Sequence, residues 1–243
     1  MKTIDVLWYA WPWIGIGGGI VIILLLFFSD TFRSNMSKSR WSDMTWLSWA
    51  MVAAYLVHVC EEYALHVADG QYQLITSFEE MGLSEMFGKI SLGIFPYVNI
   101  MITWVAFPIA AIISKKNPVV GLSPMGFCLV NGITHLVGMI RMGISANYGA
   151  ITGILLFIPL FIWICYVQRK AQMLSKNGLQ IAILSGVIGH IALFSIYIFN
   201  RLIGAFFTWF YIPVVAFVPL IVSWLLCKVI HVNISSQNEP GVE

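Results

Sequence analysis

The sequence predicts an all-α fold, a polytopic membrane bundle of seven transmembrane helices with the N-terminus outside and the C-terminus inside. Three observations predict it. Of 243 residues, 59% are hydrophobic and only 10% carry a formal charge, against about 25% charged in a soluble domain. Seven apolar runs each approach the roughly 20 residues that cross a bilayer core. Nearly all the charge lies between these runs, and Lys and Arg gather in alternate connections. Such a composition excludes a soluble domain, a disordered chain, a nucleic-acid binder and a secreted disulfide scaffold. The four cysteines (Cys60, Cys128, Cys165, Cys227) sit singly inside apolar runs, where Cys behaves as a small hydrophobe.

The first run, 11–28, is followed by Ser29, Asp30 and Arg33 and by no small-residue cleavage site. It is expected to be an uncleaved span and not a signal peptide. Its glycines Gly15, Gly17, Gly18 and Gly19 lack the strand–turn–helix setting of a phosphate loop, so close helix packing is their expected use. The later runs are 44–67, 90–113, 119–143, 148–167, 179–202 and 206–230. No internal repeat is visible. Arg33, Lys38 and Arg40 follow the first run, Lys115 and Lys116 the third, Arg169, Lys170 and Lys176 the fifth, and Lys228 ends the last. With seven spans these fall on one side. Only Lys2, Lys89, Arg141 and Arg201 fall on the other, whose 68–88 connection is acidic. The bias sets the orientation. The chain thus reads as one integral membrane domain over 1–243 with a polar tail at 232–243.

Polar side chains inside a span are costly and mark functional sites by default. The second run holds His58, Glu61, Glu62 and His66. Steps of three and four residues place them on one helix face, within an arc of roughly 140°. Two imidazoles and two carboxylates on one stripe form a ligand set for zinc, iron or manganese. Two buried carboxylates repel unless one is protonated, paired or bound to a cation. The fourth run carries Asn131 and His135 on one face and Arg141 near its end. The sixth carries His190, Tyr197 and Arg201; Tyr97 and Asn99 lie in the third, and Tyr148 opens the fifth. A lone membrane His or Asn is more often interhelical hydrogen-bond glue, and Arg141, Arg201 and His66 are long or terminal enough to reach the interface. On the predicted topology, however, all these groups fall in the middle or outer half of the bilayer. One polar pocket opening toward the outer leaflet accounts for them.

The run His58-x-x-Glu61-Glu62, followed about 70 residues later by Asn131-x-x-x-His135, resembles the HXXEE family of small bacterial and archaeal membrane proteins. The resemblance covers about residues 50–160. That family also tends to carry Tyr-x-Pro-Gly soon afterwards. Here Tyr148-Gly149-Ala150-Ile151 keeps the Tyr and lacks the Pro and Gly. The resemblance implies a prokaryotic cytoplasmic (inner) membrane and strengthens the choice of site residues. It names no reaction.

Three functions are compatible with these residues. The first is an intramembrane metalloenzyme with His58, Glu61 or Glu62, and His135 as ligands, and His66 or His190 completing the shell. Asn131 would orient His135 or the substrate, and Glu61, Glu62, Asn131 and Tyr148 are the catalytic candidates. Asn99, Arg141, Tyr197 and Arg201 would line the substrate pocket. A metal there would neutralise the carboxylates and activate water or oxygen, for hydrolysis or oxidation of a lipid or other lipophilic small molecule. The many His-x-x-His pairs of a di-iron membrane desaturase are missing. The second is a metal-free acid/base isomerase or terpenoid-type cyclase, in which Glu61 or Glu62 donates a proton. Trp104, Phe107, Tyr197 and Trp209 would then steady a carbocation. Size and span number are similar to those of the small membrane-bound terpene cyclases, although their motifs are not otherwise matched. The third is a proton- or ion-coupled transporter or a binding protein, against which an odd span count without repeats weighs.

Overall fold

The computed structural model describes residues 3–65, 67, 93–171 and 174–230 of the chain. His66, the acidic 68–88 connection and the 232–243 tail lie outside them. Every regular element among the described residues is helical. In chain order they are α1 (Thr3–Phe28), α2 (Met44–Tyr63), α3 (Ile94–Ile100), a π-helical segment (Met101–Ala106), α4 (Phe107–Ile113), α5 (Pro118–Gly121), α6 (Pro124–Met142), α7 (Ala150–Thr152), a second π-helical segment (Gly153–Phe157), α8 (Ile158–Ala171), α9 (Lys176–Ile203), α10 (Ala205–Ala216) and α11 (Val218–Val229), with single 3-10 turns at Arg40–Ser42 and Ile144–Ala146. The seven apolar runs of the sequence each coincide with one helix or with a consecutive series of them.

Five stretches are long and apolar enough to cross a membrane, and α10 with α11 adds a sixth if that pair, bent by 44°, is one span. The helix that departs from expectation is α2. It is 20 residues long, and 14 of them are buried inside the protein; its His58, Glu61 and Glu62 lower its hydropathy below that of its neighbours. α2 meets α1, α4, α5, α6, α7 and the second π-helical segment, so protein and not lipid surrounds most of it. The polar residues are affordable there because neighbouring helices satisfy them.

The helix ends follow the chain's capping chemistry. Arg40 donates from Nη1 to the Leu26 and Phe27 carbonyls, and the Trp46 indole donates to Leu26 as well, so the last turn of α1 is closed by side chains. Asp43 begins α2 by accepting from the Thr45 and Trp46 amides and reaches back to the Ser34 and Asn35 amides. In the third run, the Thr103 hydroxyl bonds the Asn99 carbonyl, and Pro108 has no N–H to return one turn further on. Between these two the helix widens into its π-helical segment. Ser175 caps α9 through the Gly178 amide.

Packing relies on close backbone approach, as it must where lipid tails are as apolar as Leu. A Cβ on Gly126 of α6 would lie 2.0 Å from the Ile183 carbonyl oxygen of α9, and one on Gly186 would lie 2.4 Å from the Ser123 carbonyl oxygen. Only glycine fits this crossing. On α1, Gly15 packs against Trp104 and Gly19 against Leu56, but Gly17 and Gly18 face open space; only two of the four serve the packing expected of them. Tyr55 of α2 sits at the centre of the larger core, with ring centroids 5.2 Å from Phe107 and 5.2 Å from Phe157.

Candidate functional site

The last two turns of α2 present His58, Glu61 and Glu62 to two different neighbours. Glu61 is buried and turns toward the start of the fifth run. Its carboxylate accepts from the Thr152 amide at 2.7 Å, from the Ile151 amide at 3.3 Å and, in a short bond, from the Thr152 hydroxyl. Three donors thus converge on one carboxylate, as they do wherever an anion meets a helix N-terminus. Glu62, one position on, points the other way, and its partly exposed side chain lines a cavity. The adjacent pair is divided between an interhelical tie and a cavity wall.

His58 is fully buried. Its Nδ1 lies 3.1 Å from Thr152 Oγ1. That hydroxyl gives its proton to Glu61, so it accepts from His58 Nδ1–H. A continuous chain runs His58 Nδ1–H, Thr152 O–H, Glu61 carboxylate. It leaves the lone pair on His58 Nε2, which has no hydrogen-bond partner and stands 3.6 Å from Glu62 Oε2. His135 is oriented in the same manner by Asn147. The Asn147 amide donates to the His135 carbonyl, which fixes its Oδ1 as the acceptor of His135 Nδ1–H at 3.0 Å. The free lone pair of His135 is again on Nε2. One ligand atom from each of His58, Glu62 and His135 lies within 4.8 Å of the other two. Each imidazole gives its one N–H to a fixed oxygen, the arrangement that orients histidines around a metal.

Backbone geometry closes the site from the loop between α6 and α7. Gly149 has φ +81°, and a Cβ there would lie 2.7 Å from His58 Cε1 and 3.1 Å from His135 Cε1. A Cβ on Gly153 would lie 3.0 Å from His135 Cδ2. The π-helical segment that Gly153 opens sets the Phe157 ring 4.7 Å from His58. The segment Tyr148-Gly149-Ala150-Ile151 therefore does local work without the Pro and Gly of the full motif: Tyr148 lines the cavity, Gly149 packs on both imidazoles, and Ile151 donates to Glu61.

The cavity encloses about 370 Å³. Of the residues singled out from sequence, Glu62, Asn99, Asn131, His135, Arg141, Tyr148, His190 and Tyr197 all form its wall. His58 lies behind Glu62 and His135. Four expectations change. Glu61 is committed to the start of the fifth run and is not on the wall. Asn131 does not hold His135; its amide donates to the Tyr55 hydroxyl at 3.3 Å, and Asn147 takes the orienting role. Arg201 is exposed near the end of α9, away from the wall. His190 is on the wall, but its ring packs on Phe127 and it is not within the group of three. Among the aromatic candidates only Tyr197 lines the cavity; Trp104 packs on Gly15, Phe107 on Tyr55 and Trp209 on Tyr97. Asn147 escaped the sequence reading because it lies in a connection, and Gly149 and Thr152 because, at the start of the fifth run, no helical spacing links them to α2 or α6. The partial match at Tyr148-Gly149 was the available signal.

Most of the residues that build this site fall within a stretch that matches a known family of sequences. Residues 49–164 match the family described as proteins of unknown function with an HXXEE motif. The matched HXXEE region contains His58, Glu61, Glu62, His135, Asn147, Gly149 and Thr152, and so the whole three-residue group with its supports. The far wall of the cavity, from His190 to Tyr197, lies beyond it. No curated protein and no solved structure matches the chain.

Proposed function

We propose that this chain is an integral membrane enzyme of seven spans, N-terminus outside, in which His58, Glu62 and His135 hold a divalent transition metal and act on a lipophilic small molecule. The observation that carries the reading is the paired orientation of the imidazoles: each ring gives its Nδ1–H to a fixed oxygen, which leaves its Nε2 lone pair bare, and one ligand atom of each lies within 4.8 Å of a Glu62 carboxylate oxygen. Two histidines and a carboxylate suit zinc, iron or manganese. A metal there would supply an activated water or oxygen for hydrolysis or oxidation. Glu62 and His135 line the cavity, so an open coordination position would face it, while His58 closes the rear. Asn147 and the Thr152–Glu61 pair keep both rings in the binding tautomer, and Gly149 excludes water from the loop side. In this reading α2 is the seventh span, shielded by protein, and the cavity lies in the half of the bilayer toward the outer leaflet.

Elemental analysis of protein purified without chelators tests the reading, with His58→Ala, Glu62→Gln and His135→Ala beside the wild type. About one zinc, iron or manganese per chain, lost in all three variants, supports it; metal-free wild-type protein overturns it. A second reading, proton transfer by Glu62 without a metal, is favoured by the aromatic wall around that carboxyl, formed by Tyr55, Tyr63, Phe95, Phe194 and Tyr197. It gains where the wild type is metal-free and Glu62→Gln alone abolishes turnover of an added terpenoid.

A further inference from the structure

The cavity also carries information about how its occupant enters and what it looks like. α6 and α9 are locked together at Gly126 and Gly186, where neither backbone has room for a Cβ. Beyond that crossing both helices lead along the cavity, through Asn131 and His135 on α6 and through His190 and Leu193 on α9. Thr134 and Val137 of α6 and Phe194 of α9 line the cavity and are exposed. Exposed wall residues on both helices mark the mouth of the cavity between them. The cleft is closed at its Gly126–Gly186 end, and Arg141 lies toward the other.

Arg141 lines this cavity, is exposed, and makes no salt bridge among the described residues. It lies six residues beyond His135 on the same helix, or about 9 Å at 1.5 Å per residue. The volume of about 370 Å³ stands at the small end of ligand pockets and does not hold a two-chain lipid. We infer that the cavity binds an anionic single-chain amphiphile, which slides in from the bilayer between α6 and α9, sets its anionic group on Arg141 and lays its chain past His135. This deepens the enzyme reading above, on which it rests for the site's place in the membrane.

Photolabelling tests the inference on the full chain in neutral lipid nanodiscs. The probes are diazirine-bearing palmitate and the matched diazirine-bearing hexadecanol, with unlabelled palmitate as competitor. Palmitate is expected to label peptides that contain residues 131–142 and 190–197, and excess palmitate should suppress that labelling. Arg141→Gln, which removes a charge-assisted contact, is expected to reduce it about ten-fold. Val137→Trp, with an unchanged unfolding temperature, should reduce it by obstructing the mouth, and Ile221→Trp on the exposed face of α11 should leave it unchanged. Hexadecanol labelling as strong as that by palmitate, or palmitate labelling indifferent to Arg141→Gln, overturns the inference. Metal-free protein that still labels in this pattern overturns only the metalloenzyme reading; metal-loaded protein that does not label overturns only the amphiphile.

Discussion

At the scale of single residues, the site depends on a few atoms that hold its imidazoles and Glu61 in place. Asn147→Ala removes the acceptor of His135 Nδ1–H and frees the ring. The expected result is a fall in zinc affinity of about 10–100-fold, read by titration against a competing chelator; Asn131→Ala, which detaches only from Tyr55, should leave that affinity nearly unchanged. Thr152→Val breaks both links of the His58–Thr152–Glu61 chain and leaves a buried carboxylate short of a donor. It should cost about 1–3 kcal/mol in thermal or chemical unfolding, and Thr152→Ser should restore most of that loss. Gly149→Ala sets a Cβ against both imidazoles at a φ that disfavours L-residues, so metal binding should fall and about 1–3 kcal/mol of stability should be lost. The wall residues were legible in the sequence because polar groups in apolar runs stand out. The supports were not, because an Asn in a connection and a Gly and a Thr at the start of an apolar run are compositionally ordinary.

At the scale of elements, the helices were legible because bilayer thickness dictates their length, and the apolar runs foretold where each would lie. Their contacts were not, since an apolar face in a membrane gives no indication of whether protein or lipid covers it. The glycines illustrate this. Gly17 and Gly18 of α1 resemble packing residues yet face open space, whereas Gly126 and Gly186, unremarked in sequence, form the tightest crossing in the bundle. Gly126→Ala or Gly186→Ala is expected to destabilise the protein by about 1–3 kcal/mol or more through overpacking. Gly17→Ala should be neutral or stabilise by up to about 1 kcal/mol through helix propensity. Unfolding midpoints of the four proteins, wild type included, decide the matter. The two π-helical segments escaped the sequence as well, although both lie beside groups of the cavity wall: Met101–Ala106 follows Asn99, and Gly153–Phe157 sets Gly153 against His135.

At the scale of the whole molecule, the proposed seven spans would place the two ends on opposite sides of the membrane. Reporter fusions are expected to show the N-terminal end active only outside and the C-terminal end only inside; both ends on one side would remove α2 from the count of spans. The position of α2 inside the bundle has a consequence for how the protein is made. A charged side chain opposes membrane insertion of an isolated helix, by about 2.5–3.5 kcal/mol at the helix centre and by less toward an end, and α2 carries Glu61 and Glu62 side by side in its last turn. The donors that satisfy Glu61 lie 90 and 91 residues later in the chain, a delay of roughly 5–20 s at ordinary rates of synthesis. During that interval α2 lies among the helices already made and the lipid, without the donors that satisfy Glu61 in the finished protein. Substitutions that spare the mature site but strengthen or weaken α2 as a solitary insert, such as Ala50→Leu or Ala54→Ser, should therefore alter yield before they alter activity, and the ribosome's pace becomes part of how this site is assembled.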